Sequence, residues 1–242
     1  MNTLTVADAK KACAQALEET SPTPLLDADC ILQHILGCDR TQLLLRRGDL
    51  LTDRQAEAVA AATEKRKTGL PIGDITGHKE FFGYDFYVTP AVLIPKPDTE
   101  LLVELTIAAV EDRLSAHPGS VPTVLDLCTG SGCVGLSLLR ALADRSGCRG
   151  LPAEPAADRP LLPVLTLADI SAEALSLARA NAERLLFATG PEAGTAGAAA
   201  TNAACTASLA AASASLHFVQ SNLFENIPQA FDIITTNPPY VP

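Results

Sequence analysis

From residue 121 onward, short apolar runs alternate with helical patterns, and this alternation restricts the possible folds more than any other feature of the chain. Residues 121–127 read as a buried strand and 133–143 as the helix after it. Residues 164–168 form a second strand ending at Asp169, and Ser171 caps a helix that turns Ala174, Leu175, Ala178 and Leu185 inward. Residues 216–220 and 231–236 are the third and fourth strands. Strands alternating with helices predict an α/β architecture with a parallel, doubly wound sheet. Two stretches interrupt the pattern. Residues 144–163 are rich in Pro, Arg and Ala, and 190–215 are an Ala/Thr/Ser/Gly-rich segment of low complexity; both are expected to be surface insertions.

The first 70 residues have a different character. Val6, Ala9, Cys13, Ala16 and Leu17 fall on one helical face, and Ser21-Pro22-Thr23-Pro24 breaks the pattern. Helical spacing resumes over 25–36, closed by Gly37 as a C-cap, and returns over 41–45. Thr52 or Asp53 caps a last helix running to about Lys67. Arg46 and Arg47 read as a solvated edge. A small helical bundle is thus expected over 1–70, serving packing or recognition. Glu80-Phe81-Phe82-Gly83-Tyr84-Asp85-Phe86-Tyr87-Val88 holds most of the chain's aromatics, and Gly83 marks a hairpin turn, so 71–92 are expected to form a β-hairpin linker. In Val92-Leu93-Ile94-Pro95-Lys96-Pro97-Asp98-Thr99-Glu100 the prolines hold the backbone extended. A helix then starts under an Asp98 or Thr99 cap and runs to about Arg113.

Ligand chemistry gathers where the strands end, the edge at which open α/β sheets bind small molecules. After the first strand comes Asp126-Leu127-Cys128-Thr129-Gly130-Ser131-Gly132, whose glycines let a ligand approach the backbone and whose following helix offers free N–H groups. The segment 130–135 also satisfies G-x-G-x-x-G, a weak signal by itself. Asp126 argues against a pyrophosphate there, since a carboxylate repels phosphate and attracts an ammonium. Asp169 is placed to accept both hydroxyls of a ribose, with a helix cap as the bland alternative. Asn222 and Leu223 follow the third strand, where Asn222 can bond a base and Leu223 cover its face. After the fourth strand comes Asn237-Pro238-Pro239-Tyr240. The prolines stiffen this turn, and Pro238 drives Asn237 out of the helical region. The Asn237 side-chain oxygen and the Pro238 carbonyl can then accept hydrogen bonds, and Tyr240 offers a flat face. Those groups suit a planar substrate bearing an NH2.

Composition narrows the partners. The formal net charge is −10, which disfavours a protein that grips nucleic acid through its own basic face. The 7 cysteines include no Cys-x-x-Cys, as expected of reduced thiols in the cytoplasm, and the 4 histidines have no metal-ligand spacing. No apolar run is long enough to span a bilayer, and no signal peptide is evident.

The Asn-Pro-Pro-Tyr stretch resembles the motif of S-adenosylmethionine-dependent amino methyltransferases. With Glu80-Phe81-Phe82-Gly83, the stretch 93–100, the loop 126–132 and the terminal Asn237-Pro238-Pro239-Tyr240-Val241-Pro242, the chain is similar to the release factor glutamine methyltransferase family. Lys96 and Asp98 stand where that family usually has Arg and Glu, and Asn222 where it commonly has an acidic residue. The resemblance implies a helical N-terminal domain, a hairpin linker and a class I, Rossmann-like methyltransferase domain over 93–242. It implies S-adenosylmethionine as cofactor, held by Asp126, Cys128, Thr129, Gly130, Ser131, Gly132, Asp169, Asn222, Leu223 and Asn237. It implies catalysis by Asn237, Pro238, Pro239 and Tyr240, without a metal, on the glutamine of the Gly-Gly-Gln loop of class I peptide chain release factors. A class I sheet has seven strands and four are read here, so a C-terminally incomplete domain is expected, with Ile233 and Ile234 on an open edge. Three alternatives stay open: a methyltransferase acting on adenine N6 or cytosine N4, an NAD-dependent oxidoreductase, and a truncated non-catalytic S-adenosylmethionine-binding fragment.

Overall fold

The computed structural model describes residues 4–145, 162–187 and 216–239. The expected insertions over 144–163 and 190–215 lie almost wholly outside the described residues, as does Tyr240. Of the first, Asp144 and Arg145 extend a helix, and Leu162 and Pro163 lead into the next strand. The chain divides into two compact units, Met1–His78 and Lys79–Pro242.

In the first unit Thr5 starts helix α1 (Val6–Leu17): its hydroxyl accepts from Asp8 N while the Asp8 carboxylate accepts from Thr5 N. Helix α2 (Pro24–Leu36) begins at a proline and ends on Gly37, whose φ of 57° is the left-handed conformation a C-cap requires. Asp39 and Thr52 cap α3 (Arg40–Leu45) and α4 (Asp53–Lys67) with the same reciprocal box, and α5 (Ile72–Thr76) follows. The buried face of α1 is Val6, Ala9, Cys13, Ala14 and Leu17. Ala16, expected inward, is exposed. It lies three residues from Cys13, but the α2 and α4 contacts fall on the Ala14 side of that stripe. These residues close a core with Ala28, Ile31, Leu32, Leu43, Leu51 and Val59.

The second unit opens with a hairpin, β1 (His78–Phe81) and β2 (Tyr84–Tyr87). Phe82 and Gly83 form its turn with φ of 54° and 76°, the paired left-handed geometry that matches strand twist. Beyond it a single 3₁₀ turn (Pro97–Thr99) leads into α6 (Glu100–Ala116). Neither Asp98 nor Thr99 caps α6 through its side chain. Thr99 is itself helical, so its hydroxyl points away from the helix's free N–H groups.

Strands β3 (Thr123–Leu127), β4 (Val164–Asp169), β5 (Leu216–Gln220) and β6 (Ile233–Thr236) form one parallel sheet in the order β5-β4-β3-β6. Helix α7 (Cys133–Arg145) follows β3, and α8 (Ala172–Ala182) follows β4 and widens into a π-turn (Glu183–Phe187). Alternation along each strand separates two faces. Val124, Leu165, Leu167 and Ile233 pack with residues of α6, α7 and the end of α8. Leu125, Leu127 and Ala168 turn the other way and are covered by Ile227 and Phe231, from the segment between β5 and β6. The sheet was expected to carry helices on both faces; among the described residues they lie on one. Ile234 is 51% exposed, so the buried reading of the fourth strand fails at that position; among the described residues β6 is an outer strand of the sheet. Among the described residues no helix is long and apolar enough to cross a membrane.

Candidate active site

The parallel order brings the ends of β3, β4 and β6 to one sheet edge, with the ends of β3 and β6 side by side: Leu127 pairs in register with Thr236. A cavity of about 50 Å³ opens there. Its wall combines the strap Leu93, Ile94, Pro95, Lys96 and Thr99, the loop residues Asp126, Cys128, Thr129, Gly130 and Ser131, and Asn237. Three stretches that stand far apart in the chain therefore face one space, and all lie in the second unit.

The glycine loop is held from both sides. Thr129 N donates to Ala168 O at 3.0 Å, and Gly130 N donates to Asp169 Oδ2 at 2.9 Å. Gly130 and Gly132 have φ of 55° and 80°, and a Cβ on Gly132 would stand 2.9 Å from Leu136 Cδ1. Cys128 also lies in the left-handed region, at φ 61°. Asp126 is 2% exposed. Its Oδ2 accepts from Thr129 Oγ1 at 2.6 Å and from Gly135 N at 3.0 Å. Burial pushes its carboxyl up to about 6, against the lowering effect of those two bonds, and the nearby Asp169 adds to the rise. Burial pushes the Cys133 thiol up to about 12 and raises that of Cys128 as well. Ser131 Oγ is buried in the cavity wall, with the Cys133 thiol as its neighbour.

Asp169 divides its carboxylate between two backbone groups, Gly130 N on Oδ2 and Ser171 N at 3.0 Å on Oδ1. The cap of α8 is Ser171, whose hydroxyl accepts from Ala174 N. Asn222 Nδ2 donates to Glu225 Oε1 at 2.9 Å within its own turn, and Leu223 is exposed with φ 50°. Ile170, directly after Asp169, is exposed too, so two apolar side chains stand at the ends of β4 and β5. Ile170 had no motif to mark it.

Asn237 is half-buried, and its Nδ2 donates to Thr99 Oγ1 at 3.2 Å. With the amide nitrogen engaged by Thr99, Oδ1 is left as the acceptor. Thr236 Oγ1 donates to Leu127 O at 2.7 Å and fastens the start of the turn to β3. Pro238 and Pro239 are exposed. Thr99 escaped the sequence reading because it read as a helix cap; its partner lies 138 residues away. Next to it, Glu100 Oε1 accepts from Phe82 N at 3.0 Å and joins the strap to the hairpin turn.

Residues 8–77 match the model of the PrmC N-terminal domain. Over 232 residues the chain is 34% identical to the release factor glutamine methyltransferase of Burkholderia pseudomallei, covering 95% of this chain and 66% of that protein. Over 237 residues it is 31% identical to the enzyme of that name from Haemophilus influenzae, covering 96% and 68%. The likeness to the crystal structure of ribosomal protein L11 methylase from Lactobacillus delbrueckii subsp. bulgaricus is slight, at 16% identity and a TM-score of 0.33, covering 62% of this chain and 51% of that one. The chain spans roughly two thirds of the length of the curated relatives it matches, between 60% and 68%. An identity of 31% sustained across 68% of such a relative, together with the matching N-terminal domain, places the chain in the release factor glutamine methyltransferase family.

Proposed function

We propose that the protein transfers a methyl group from S-adenosylmethionine to the side-chain amide nitrogen of a glutamine, the one in the Gly-Gly-Gln loop of class I peptide chain release factors. The observation that carries this reading is Asn237: Thr99 holds its amide by the nitrogen, in the wall of the cavity that the glycine loop also lines.

The residues present fit the cofactor in chemistry. A buried carboxylate at Asp126 suits a cationic ammonium, and the left-handed glycines leave room for close approach. Ser131 places a hydroxyl in the cavity wall, and Ile170 and Leu223 offer apolar surface for a base. Asp169 retains lone pairs for ribose hydroxyls beside the two N–H groups it already accepts. A cavity of about 50 Å³ is far below the several hundred Å³ of a pocket for a whole ligand of this size, so it corresponds to the reacting end, with the nucleoside lying across the open strand ends. When bound, S-adenosylmethionine supplies an electrophilic methyl group on a sulfonium.

The chain's own part is orientation. A carboxamide nitrogen is a poor nucleophile because its lone pair is delocalised. Asn237 Oδ1 and the Pro238 carbonyl accept its two hydrogens, aim the nitrogen, and favour the positive charge that develops on it. Pro239 keeps the turn rigid and Tyr240 packs against the amide plane. The released proton passes to solvent at Pro238, which is exposed. Glutamate is rejected because it cannot fill both acceptors, and an unmet buried polar group costs about 1–3 kcal/mol. The helical residues 1–70 serve substrate recognition, and 71–92 link them to the transferase. A substrate that acts in translation puts the protein in the cytoplasm.

The test is mass spectrometry of a release factor after incubation with the protein and S-adenosylmethionine, with DNA in a parallel reaction. One added methyl on the Gly-Gly-Gln glutamine is expected, and methylation of DNA instead would overturn the assignment. Asn237→Ala is expected to lower turnover by roughly 10²–10³, the effect of losing one electrostatic stabiliser.

A further inference from the structure

Asn181 sits in α8 and is fully buried, yet its side chain does nothing for its own helix. Its Oδ1 accepts from Tyr87 N at 2.7 Å, and its Nδ2 donates to Tyr87 O at 3.0 Å. The amide therefore pairs with both backbone groups of one β2 residue, as a neighbouring strand would, and covers the edge of β2 away from β1. The other hydrogen of Nδ2 goes to Ser131 O at 2.9 Å. A single planar group thus joins the hairpin to the middle of the glycine loop. Its partners are 94 and 50 residues away in the chain.

The loop needs such an anchor. Ser131 lies between two left-handed glycines, which have little local preference to hold them. Asp169 fixes the loop from the β4 side at Gly130 N, and Asn181 fixes it from the hairpin side at Ser131 O. A second contact holds β2 to the same part of the molecule: Arg184 donates to the Asp85 carbonyl and carboxylate, and its guanidinium lies 4.5 Å from the centre of the Tyr87 ring. No motif marks Asn181; a buried amide with three main-chain bonds is visible only in three dimensions.

We infer that Asn181 is a positioning residue that makes order in the glycine loop depend on β2 of the hairpin, so that loosening β2 weakens cofactor binding without touching the methyl-acceptor loop. The cofactor half of this statement rests on the proposed function; the dependence of the loop on β2 does not.

The experiment compares the full chain with Asn181→Ala and with Leu175→Ala, a buried residue of the same helix used as a matched destabilisation. Amide hydrogen exchange is read without ligand. Asn181→Ala is expected to speed exchange over 84–88 and 129–133 by about tenfold relative to Leu175→Ala, the effect of losing one net hydrogen bond. Affinity for S-adenosylhomocysteine, by calorimetry, is expected to fall about tenfold in Asn181→Ala alone, with kcat at saturating cofactor within about twofold of wild type. Equal loosening in both variants, or a loosened 84–88 beside an unchanged 129–133, overturns the inference. Should Asn181→Ala fail to fold, Arg184→Met frees β2 with the buried amide intact, and the same two segments must loosen together. A wild-type chain that does not bind S-adenosylhomocysteine defeats the cofactor reading, and the exchange result still decides the role of Asn181.

Discussion

Asp126 is a carboxylate whose surroundings oppose its charge. Its carboxyl titrates at about 6 in the fold against 3.8 when free, chiefly because it is buried. Between those values the folded chain keeps a proton that the unfolded chain has released, so this residue's contribution is fully present below about pH 4 and is lost as pH rises to about 6. Urea unfolding across that range is expected to show stability falling with pH, and Asp126→Asn to flatten the dependence. A cationic ligand beside Asp126 reverses the sense for binding: affinity rises through the same window, and uptake of ligand near pH 5 releases a proton. Thr99 makes a second case. Thr99→Val removes the oxygen that holds Asn237 Nδ2, leaving the amide free to turn. Turnover is expected to fall about tenfold, one net hydrogen bond, with KM for the cofactor unchanged and with Thr99→Ser restoring the rate. Equal loss in the serine and valine variants would count against an orienting role.

Among the elements, the hairpin is held by several different partners. β1 and β2 form only a two-stranded sheet, which is marginal alone. Phe81 and Phe86 meet edge to face, 6.1 Å between centroids, and join the core beneath α6 and α7. Its turn is tied to α6 through Glu100, and its outer strand to α8 through Asn181. Glu100→Ala is expected to speed exchange at the Phe82 amide about tenfold, while Glu100→Gln keeps an acceptor and stays near wild type. At the sheet's other end, Asp232 accepts from Thr123 N, Thr123 Oγ1 and both Arg113 Nε and a terminal guanidinium nitrogen. Those bonds lower its carboxyl below the usual range and fasten the start of β6 to β3. The strand that delivers Asn237 thus depends on a polar clasp at the residue just before it.

Across the whole molecule, each unit has its own core. In the helical unit Leu17, Ile31 and Leu32 are fully buried among helices whose caps are almost all local. Leu17→Ala is expected to destabilise that unit by roughly 2–5 kcal/mol, as for other large-to-small core changes. Affinity for S-adenosylhomocysteine, which the proposed function assigns to the second unit, is expected to stay within error of wild type. Thermal melting followed alongside calorimetry checks both halves of that statement. A fall in cofactor affinity matching the loss of stability would mean that the units do not act separately.

The sequence alone was enough for most of the elements and the loops that end them, because those depend on neighbours along the chain; α5 was missed, falling inside the expected hairpin linker. Thr5, Asp39, Thr52 and Ser171 cap their helices from within four residues, Gly37 and the Phe82-Gly83 turn obey local backbone preference, and the four strands follow from their apolar runs. The tertiary structure decided which groups those loops would meet. Thr99 reads as a helix cap and instead holds Asn237; Asp169 reads as a ligand contact and already accepts the Gly130 amide; Asn181 reads as one polar residue in a helix and joins two segments. Each of these bonds spans 39 to 138 residues, and a side chain with several bonding options reveals its partner only when packing has removed the others.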